Sequence, residues 1–321
     1  MKHSSMWNNL VRTTLRLSLP IALSLLFTFY FLPSTCLASV SEDLMKIGVG
    51  ARVMGMGKAF VAVADDGNSM FMNPAGLADV KGWQINSMYT NLQEGELPYV
   101  VLSGIRPLWN GTCGFGMIST GTGQIIQTGV LGKGYFDYNN SLFFLSYATK
   151  IRDNVSLGAN LKYFKQGFSG AIAQAGEGYD MDLGVKCDIN KKLSVGLNLQ
   201  NLLPTNIYWA GGAVDEVPMN IKAGVAYKAS DSLIAALDFD MVQQVNRPST
   251  SHFGVEWSAN QFLTIRGGFD QTVSVSSGVF TNPTAGVGIG YGAFKLEYAY
   301  HPYNDGYESS AHFVSIMIAS K

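Results

Sequence analysis

The sequence predicts an all-β protein: a 14-stranded antiparallel transmembrane β-barrel whose lumen is filled by an N-terminal plug. Three observations predict this fold. Apolar and polar residues alternate along many segments after residue 82, the connections between these segments alternate between short and long, and only 14% of the residues are charged although 47% are hydrophobic. Soluble domains carry roughly 25% charged residues. Outer-membrane barrels combine apolar-out, polar-in strands with short turns at one end and longer loops at the other.

The N-terminus has the order of a secretory signal. Basic residues precede an apolar stretch, 17–32, which is followed by small residues that end at Ala38. This pattern predicts a signal peptide over residues 1–38, cleaved after Ala38. An uncleaved anchor is the alternative, and a lipoprotein signal at Cys36 is disfavoured because the usual apolar residue three positions earlier is absent. The remaining chain divides into a predicted plug, residues 39–81, and a predicted barrel, residues 82–321.

The strand predictions rest on a period of two. In 179–189, for example, Tyr, Met, Leu, Val, Cys and Ile alternate with Asp, Asp, Gly, Lys and Asp. Successive side chains of a strand point to opposite faces, so each such run has one apolar and one polar face. The predicted strands are 82–91, 97–106, 111–119, 141–151, 154–166, 178–189, 192–201, 219–228, 232–241, 251–259, 261–270, 283–291, 293–301 and 311–319.

The connections favour a membrane barrel over a soluble sandwich. From the third predicted strand on, turns of one to three residues, such as Arg152-Asp153, alternate with longer segments. The predicted long connections are 120–140, 167–177, 202–218, 242–250, 271–282 and 302–310, with 120–140 as either a loop or an extra hairpin. Lipid offers no hydrogen bonds to backbone groups, so such strands must close into a ring. Aromatic residues near the predicted strand ends are expected to form interfacial girdles: Trp83, Tyr147, Tyr163, Tyr227, Trp257 and Tyr298.

The predicted plug is too apolar to float in the periplasm. Its residues Phe60, Met70, Phe71, Met72 and Leu77 would remain in water there, whereas a barrel of fourteen strands has a cavity for them. Glycines between residues 48 and 57 argue against a long helix. The sequence Asn73-Pro74-Ala75-Gly76 predicts a turn, in which Pro fixes φ and Gly permits positive φ.

The plug also carries a recognisable signature. The stretch GARVMGMGKAFVAVADDGNSMFMNPAGLADV, residues 50–80, resembles the N-terminal signature of the PorV/PorQ-like outer-membrane proteins, which are related to the FadL family of hydrophobic-compound transporters. The likeness continues through 180–202, 252–257, 266–270 and 298–303. It implies a FadL-type barrel in the bacterial outer membrane with the N-terminal segment in the lumen. The chain departs from the usual barrel pattern by ending on Ser320-Lys321 rather than on an aromatic residue, which puts efficient membrane insertion in doubt.

The polar faces of the predicted strands carry charges of both signs. The predicted lumen-lining residues are Asp180, Asp182, Lys186, Lys222, Glu256, Arg266, Lys295 and Glu297. One interpretation is an ionic network that pins the plug, and the other is a selectivity lining. The mixed signs argue against a strong preference for anions or cations.

Several kinds of chemistry find no support. The glycines at 48–57 lack the full dinucleotide or phosphate-loop spacing, the histidines and cysteines lack metal-ligand spacing, and no serine-hydrolase elbow occurs. The net charge of −1 offers no basic surface for nucleic acid. We therefore expect no enzyme, no cofactor and no metal. Cys113 and Cys187 lie in predicted strands and either pair or remain free.

Two functions remain from the sequence. In the first, small hydrophobic or amphipathic molecules bind or pass between plug and wall, across the outer membrane and in contact with its lipid. The residues expected at this site or in plug packing are Phe60, Met70, Phe71, Met72, Asn73, Pro74, Gly76 and Leu77. In the second, which the resemblance implies, the barrel is a type IX secretion adaptor that holds cargo proteins through loops 202–218 and 271–282, with Leu202-Leu203-Pro204 and Ile207-Tyr208-Trp209 as contact residues. The alternative for the aromatic residues of these loops is that they cover the barrel mouth or lie in the headgroup layer.

Overall fold

The computed structural model describes residues 43–92, 97–129, 132–170, 173–204, 206–243, 249–274, 278–302 and 311–320. The predicted signal peptide, 1–38, and the first residues of the predicted plug lie outside these ranges. Among the described residues, no helix is long and apolar enough to cross a membrane.

The plug consists of short helical pieces joined by turns. They are α1 (Asp43–Ile47), α2 (Ala51–Gly55), α3 (Ser69–Met72) and a 3-10 helix (Pro74–Asp79). The predicted turn at 73–76 is the start of this 3-10 helix: the Asn73 side chain accepts a hydrogen bond from the Ala75 amide at 3.2 Å, and Pro74 takes the first helical position. Both are favoured choices at a helix N-terminus.

Within the described ranges, sixteen strands follow the plug. They are β1 (Gln84–Leu92), β2 (Leu97–Leu108), β3 (Gly111–Gly129), β4 (Gly132–Arg152), β5 (Val155–Gly170), β6 (Gln174–Asp188), β7 (Leu193–Gln200), β8 (Asn206–Trp209), β9 (Val214–Glu216), β10 (Asn220–Ser230), β11 (Leu233–Val242), β12 (Ser249–Ser258), β13 (Leu263–Ser274), β14 (Gly278–Tyr291), β15 (Phe294–His301) and β16 (Ala311–Ala319).

Fourteen of these strands form a closed antiparallel barrel. Consecutive barrel strands pair all the way round, β7 pairs with β10, and β1 pairs with β16 to close the ring. The short hairpin β8–β9 is additional and attaches to the end of β6 through the pairs Gly176–Trp209 and Glu177–Tyr208. The predicted 14-stranded barrel is therefore confirmed, and each predicted strand overlaps one barrel strand.

Several of the predicted long connections are shorter than the sequence indicated, whereas 302–310 keeps its predicted bounds and 202–218 contains the hairpin β8–β9. Segment 120–140 is neither a loop nor a separate hairpin, because β3 continues to Gly129 and β4 begins at Gly132. In 167–177 and 271–282 the flanking strands likewise extend into the predicted loops. The extended strands keep cross-strand pairs that a loop would not make. They also lengthen the barrel wall at the end that has the longer connections.

The outward face of the barrel is apolar, as a lipid-facing surface requires. Leu145, Leu161, Leu183, Leu237 and Ile316 are among the exposed large side chains. The six predicted girdle residues also lie outside: Trp83, Tyr147, Tyr227, Trp257 and Tyr298 are exposed and Tyr163 is half-buried. Cys113 and Cys187 are free cysteines on the outward faces of β3 and β6, so the alternative of a disulfide is wrong.

Candidate functional site: the plugged lumen

The plug lies inside the barrel and forms the largest part of its core. Of the eight residues predicted at the site, Phe60, Asn73 and Leu77 have no exposed surface, and Met70 and Phe71 have at most 1%. Met72, Pro74 and Gly76 are also buried. The Phe71 ring meets the Phe144 ring of β4 edge-on, with 5.0 Å between ring centroids.

Wall side chains hold the plug by its backbone. On β5 and β7, Asn160 and Asn198 donate to the carbonyls of Met70 and Met72 at 2.8 Å each. On β11, the Asp238 carboxylate accepts hydrogen bonds from the amides of Phe60 at 2.5 Å and Val61 at 2.6 Å. These backbone groups lie outside regular secondary structure and are buried away from water. An irregular segment can be buried only if such groups find hydrogen-bond partners, and the wall side chains provide them.

Asn73 links two parts of the plug to the wall. Its amide nitrogen donates to the carbonyl of Val61 at 2.8 Å and to that of Val185, on β6, at 3.1 Å. Lys186 on the same strand donates to the carbonyls of Val63 and Ala64 and to Asp79, at 3.1, 2.8 and 3.0 Å. The single ammonium group therefore joins the middle of the plug to its last helix.

A chain of buried ion pairs runs from the plug into the wall. Arg52 binds Glu256 through two nitrogens at 2.8 Å each, and Arg266 binds the same carboxylate at 2.6 Å. Arg266 also reaches Glu297, which in turn pairs with Lys295, at 2.9 Å in both cases. Three of the predicted lumen-lining residues thus form a network with a plug arginine, and Lys295, only half-buried, lies at its edge.

Two of the other predicted lumen-lining residues, Asp182 and Lys222, form separate ion pairs. Lys162 pairs with Asp182 at 2.6 Å and bonds to Asn201, while Lys222 pairs with Asp240. Asp180, 2% exposed, accepts hydrogen bonds from the backbone amides of Met181 and Leu203.

Arg52, Asp238 and Lys162 make central contacts here but were not among the predicted site residues. The signal for Asp238 was available, because Leu237-Asp238-Phe239-Asp240 alternates and places both aspartates inward. Arg52 is the one arginine in the plug signature, yet its partners Asp66 and Glu256 lie 14 and 204 residues away along the chain.

One side of the lumen wall is apolar, although barrel interiors are usually polar. Five inward-facing side chains on adjacent strands lie in direct cross-strand register and are at most 3% exposed. This set, which we call the apolar row, comprises Met88, Val101, Ile118, Leu142 and Phe164. Most of the charged residues described above lie elsewhere around the ring, on β6, β10–β13 and β15, whereas Lys162 lies on β5 with its ammonium group 5.6 Å from the Phe164 ring centroid.

Next to the apolar row, the plug packs closely against the wall because two wall residues are glycines and have no side chain. Gly114 and Gly116 on β3 face Met70; a Cβ at Gly116 would lie 2.3 Å from the Met70 sulfur and 3.0 Å from the Phe71 ring. Met70 and Phe71 therefore pack into space that the two glycines leave free. We call this contact of Met70 and Phe71 with β3–β4 the apolar seam.

Aromatic residues continue the apolar side towards the end of the barrel with the longer connections. Phe168 stacks on Trp209 at 5.6 Å and contacts Tyr138 at 5.0 Å, between ring centroids. Ile207 is completely buried, and the Trp209 indole donates to Asp215. Two of the residues predicted to contact cargo thus pack against this barrel, whereas Tyr208, 63% exposed, and Leu203 remain accessible.

At the opposite end of the barrel, an open basin of about 560 Å³ lies below the plug. Val63 and Lys186 line it together with Lys192, from a short turn, and Lys228, near the end of β10. The plug therefore lies between the aromatic residues at one end of the barrel and the basin at the end with the short turns.

No protein-family model matches this sequence, and no curated protein matches it. Solved structures do match. CymD, a monoaromatic hydrocarbon channel, has a TM-score of 0.66 at 15% identity, over 85% of this chain and 98% of its own. The toluene transporter TbuX of Ralstonia pickettii has a TM-score of 0.63 at 14% identity, over 85% and 99%.

A FadL homologue of Pseudomonas aeruginosa has a TM-score of 0.57 at 11% identity, over 84% of this chain and 98% of its own. At these identities the likeness shows a shared fold, the FadL-type barrel. The narrower resemblance to PorV/PorQ-like proteins remains a prediction.

Proposed function

We propose that this protein is a channel of the bacterial outer membrane that binds small hydrophobic molecules and lets them pass. The observation that carries the proposal is the apolar row, which is a continuous set of hydrophobic side chains on the inner face of the wall. The outer face of the same barrel is also apolar. The side chains of the apolar row offer no charge or hydrogen bond to an ion or a sugar. They would instead solvate an apolar molecule within the thickness of the membrane. The fold it shares with channels for toluene and other monoaromatic compounds supports the same conclusion.

The route follows the apolar side of the lumen. A molecule enters among Tyr138, Phe168 and Trp209, moves along the apolar row and reaches the apolar seam. Displacement of the Met70 and Phe71 side chains, which are held there by packing, then opens a way past the plug. The ion pairs on the other side of the lumen keep the plug backbone in place during this step.

The secretion-adaptor function is the weaker alternative. Of the two alternatives for this loop, contact with cargo or cover of the barrel mouth, the burial of Ile207 and the stacking of Trp209 on Phe168 favour the second.

A substitution that fills the apolar seam tests the channel. Gly116→Val adds carbons where a Cβ already lies 2.3 Å from the Met70 sulfur, so we expect uptake of radiolabelled toluene by intact cells to fall several-fold. Gly104→Val is the matched control on the neighbouring strand, because a Cβ at Gly104 has no atom within 4 Å. Heat-modifiable gel mobility verifies that both variants assemble.

Wild-type uptake no faster than that of cells lacking the protein would refute the channel. Equal uptake by wild type and an assembled Gly116→Val variant would refute the route through the seam.

A further inference from the structure

Two buried amide side chains have unused hydrogen-bonding groups. They lie in the part of the lumen nearer the end with the longer connections, which we call the upper lumen. Gln166 on β5 is 1% exposed, and neither its amide oxygen nor its nitrogen has a partner within the described part of the chain. Asn140 on β4, 2% exposed, lies directly opposite, and its side-chain oxygen is also unpartnered. Buried amides nearly always find partners in native proteins, so a pair of this kind points to a missing partner.

The position of the pair ties it to the proposed route. The cross-strand pair Leu142–Phe164, part of the apolar row, lies immediately below, and the pair Tyr138–Phe168 lies immediately above. Residues on one strand face that are two apart lie about 7 Å from each other. A molecule in contact with the apolar row therefore has the two amides within reach of a single substituent.

The hairpin β8–β9 covers this part of the wall. A Cβ at Gly176, the β6 partner of Gln166, would lie 2.8 Å from the Trp209 ring, and one at Gly178 would lie 3.1 Å from Ile207. The hairpin pairs with β6 at two positions, Gly176 and Glu177. The hairpin thus covers the amides, held by these two pairs, by the hydrogen bond from the Ala210 amide to the Ala175 carbonyl and by the stacking of Trp209 on Phe168.

The surroundings select an uncharged group. Lys162, an inward-facing cation one row below Phe164, is already paired with Asp182 and bonded to Asn201. Asp180, opposite Lys162, has a buried oxygen with no partner among the described residues and would repel an anion. An amide offers both a donor and an acceptor, which is the complement of a hydroxyl group.

We propose that Gln166 and Asn140 form a recognition site for the hydroxyl group of an otherwise apolar molecule, such as a phenol or an alcohol. This inference rests on the proposed channel and names the class of compound that it would favour over plain hydrocarbons. The hydroxyl donates to a side-chain oxygen and accepts from the Gln166 nitrogen, while the body of the molecule lies on the apolar row.

Two probes of the same shape test the site. p-Cresol and p-xylene differ by a hydroxyl in place of a methyl group. We expect Gln166→Leu to weaken binding of p-cresol about tenfold relative to p-xylene, because one hydrogen bond to a buried group contributes about this factor. The readout is the ratio of the two dissociation constants, measured by titration of purified protein in detergent, so that partitioning into detergent cancels between wild type and variant.

Gln200→Leu is the matched control. It makes the same change at a buried amide that already donates to the Phe71 carbonyl at 3.0 Å. We expect its effect to be common to both probes and to leave their ratio unchanged. Asn140→Leu provides a second test of the pair if Gln166→Leu does not assemble, and it should shift the ratio in the same direction.

The possible results separate the two proposals. An unchanged ratio in an assembled Gln166→Leu or Asn140→Leu variant would mean that the amides hold water, and it would overturn the recognition site while leaving the channel intact. Wild-type protein that binds neither probe would overturn the channel and the site together. A ratio that changes equally in Gln200→Leu would also overturn the site, because the effect would then come from plug displacement.

Discussion

Arg52 joins the plug to the wall of the barrel through ion pairs. Its guanidinium group contacts Asp65 and Asp66 within the plug and Glu256 on β12, and the Arg52 and Glu256 side chains are both at least nine-tenths buried. Guanidinium groups can bind several carboxylates at fixed angles, which a lysine cannot do. A buried ion pair adds little net stability, but loss of one partner leaves an uncompensated buried charge.

We therefore expect Arg52→Gln to loosen the plug. Removal of one partner from a buried pair costs about 3–5 kcal/mol, and here the loss falls on the contact between plug and wall. Hydrogen exchange of the plug amides, measured by mass spectrometry on the assembled barrel, should become much faster, while exchange of the barrel strands stays slow.

Lys295→Gln is the appropriate comparison, because Lys295 lies at the half-buried end of the same network. Plug exchange should hardly change in that variant. Equal protection of the plug in Arg52→Gln and wild type would show that packing alone holds it.

At the scale of elements, the plug is a bent segment that must approach the wall closely. Gly57 has a φ of +59°, and a Cβ there would lie 2.5–2.7 Å from backbone atoms of Phe253 and Phe269. The next residue, Lys58, also has positive φ, at 68°. His252 fixes this bend through a 2.9 Å hydrogen bond between its ring and the Gly57 carbonyl.

Gly57→Ala should consequently displace the bend from β12 and β13. Backbone atoms cannot move aside as flexible side chains do, so the substitution combines strain at positive φ with a steric clash. Gly292→Ala separates these two effects, since Gly292 has a φ of +65° but no atom within 4 Å of a Cβ. Strain alone costs about 1–2 kcal/mol.

The measurement is the rate of hydrogen exchange of the backbone amides around each substituted glycine, determined by mass spectrometry on the assembled barrel. We expect a clearly larger increase over wild type for Gly57→Ala than for Gly292→Ala. Similar increases in the two variants would show that the bend yields easily and that its contact with β12 and β13 matters little.

On the scale of the whole molecule, barrel and plug have different sources of stability. The strands bond to one another around a closed ring, so their backbone hydrogen bonds do not involve the plug. The plug, in contrast, has only short helical pieces and relies on wall side chains such as Asp238, Asn160 and Asn198 for its backbone hydrogen bonds.

Deletion of residues 43–80 should accordingly leave a barrel but open its lumen. We expect liposomes that contain the deletion variant to swell rapidly in an isotonic solution of a small sugar such as arabinose, while liposomes with the full chain do not. Selectivity for hydrophobic compounds should be lost at the same time, because the apolar seam no longer exists.

Liposomes without protein provide the baseline for swelling. Equal swelling with full-length and deleted protein would contradict the view that residues 43–80 close the lumen. A deletion variant without heat-modifiable mobility would instead contradict the independence of barrel and plug.

The sequence by itself determined the barrel, because strand periodicity is a local property. Each run such as Phe294–Tyr300 shows in a few residues which side faces lipid, and the short turns between runs give the order of the strands. The sequence also indicated that Phe60 and Phe71 need a cavity. Strand ends were less certain, as in segment 120–140, since a polar extension beyond the membrane has the composition of a loop.

Only the tertiary structure decided which residues meet inside the lumen. Arg52 and Glu256, or Met70 and Gly116, are far apart in the chain and come together because the ring brings distant strands around the plug. The division of the wall into an apolar and a charged side, and the unpartnered amides of Asn140 and Gln166, likewise depend on cross-strand register. No local pattern encodes that register, because it results from how fourteen strands close into one ring.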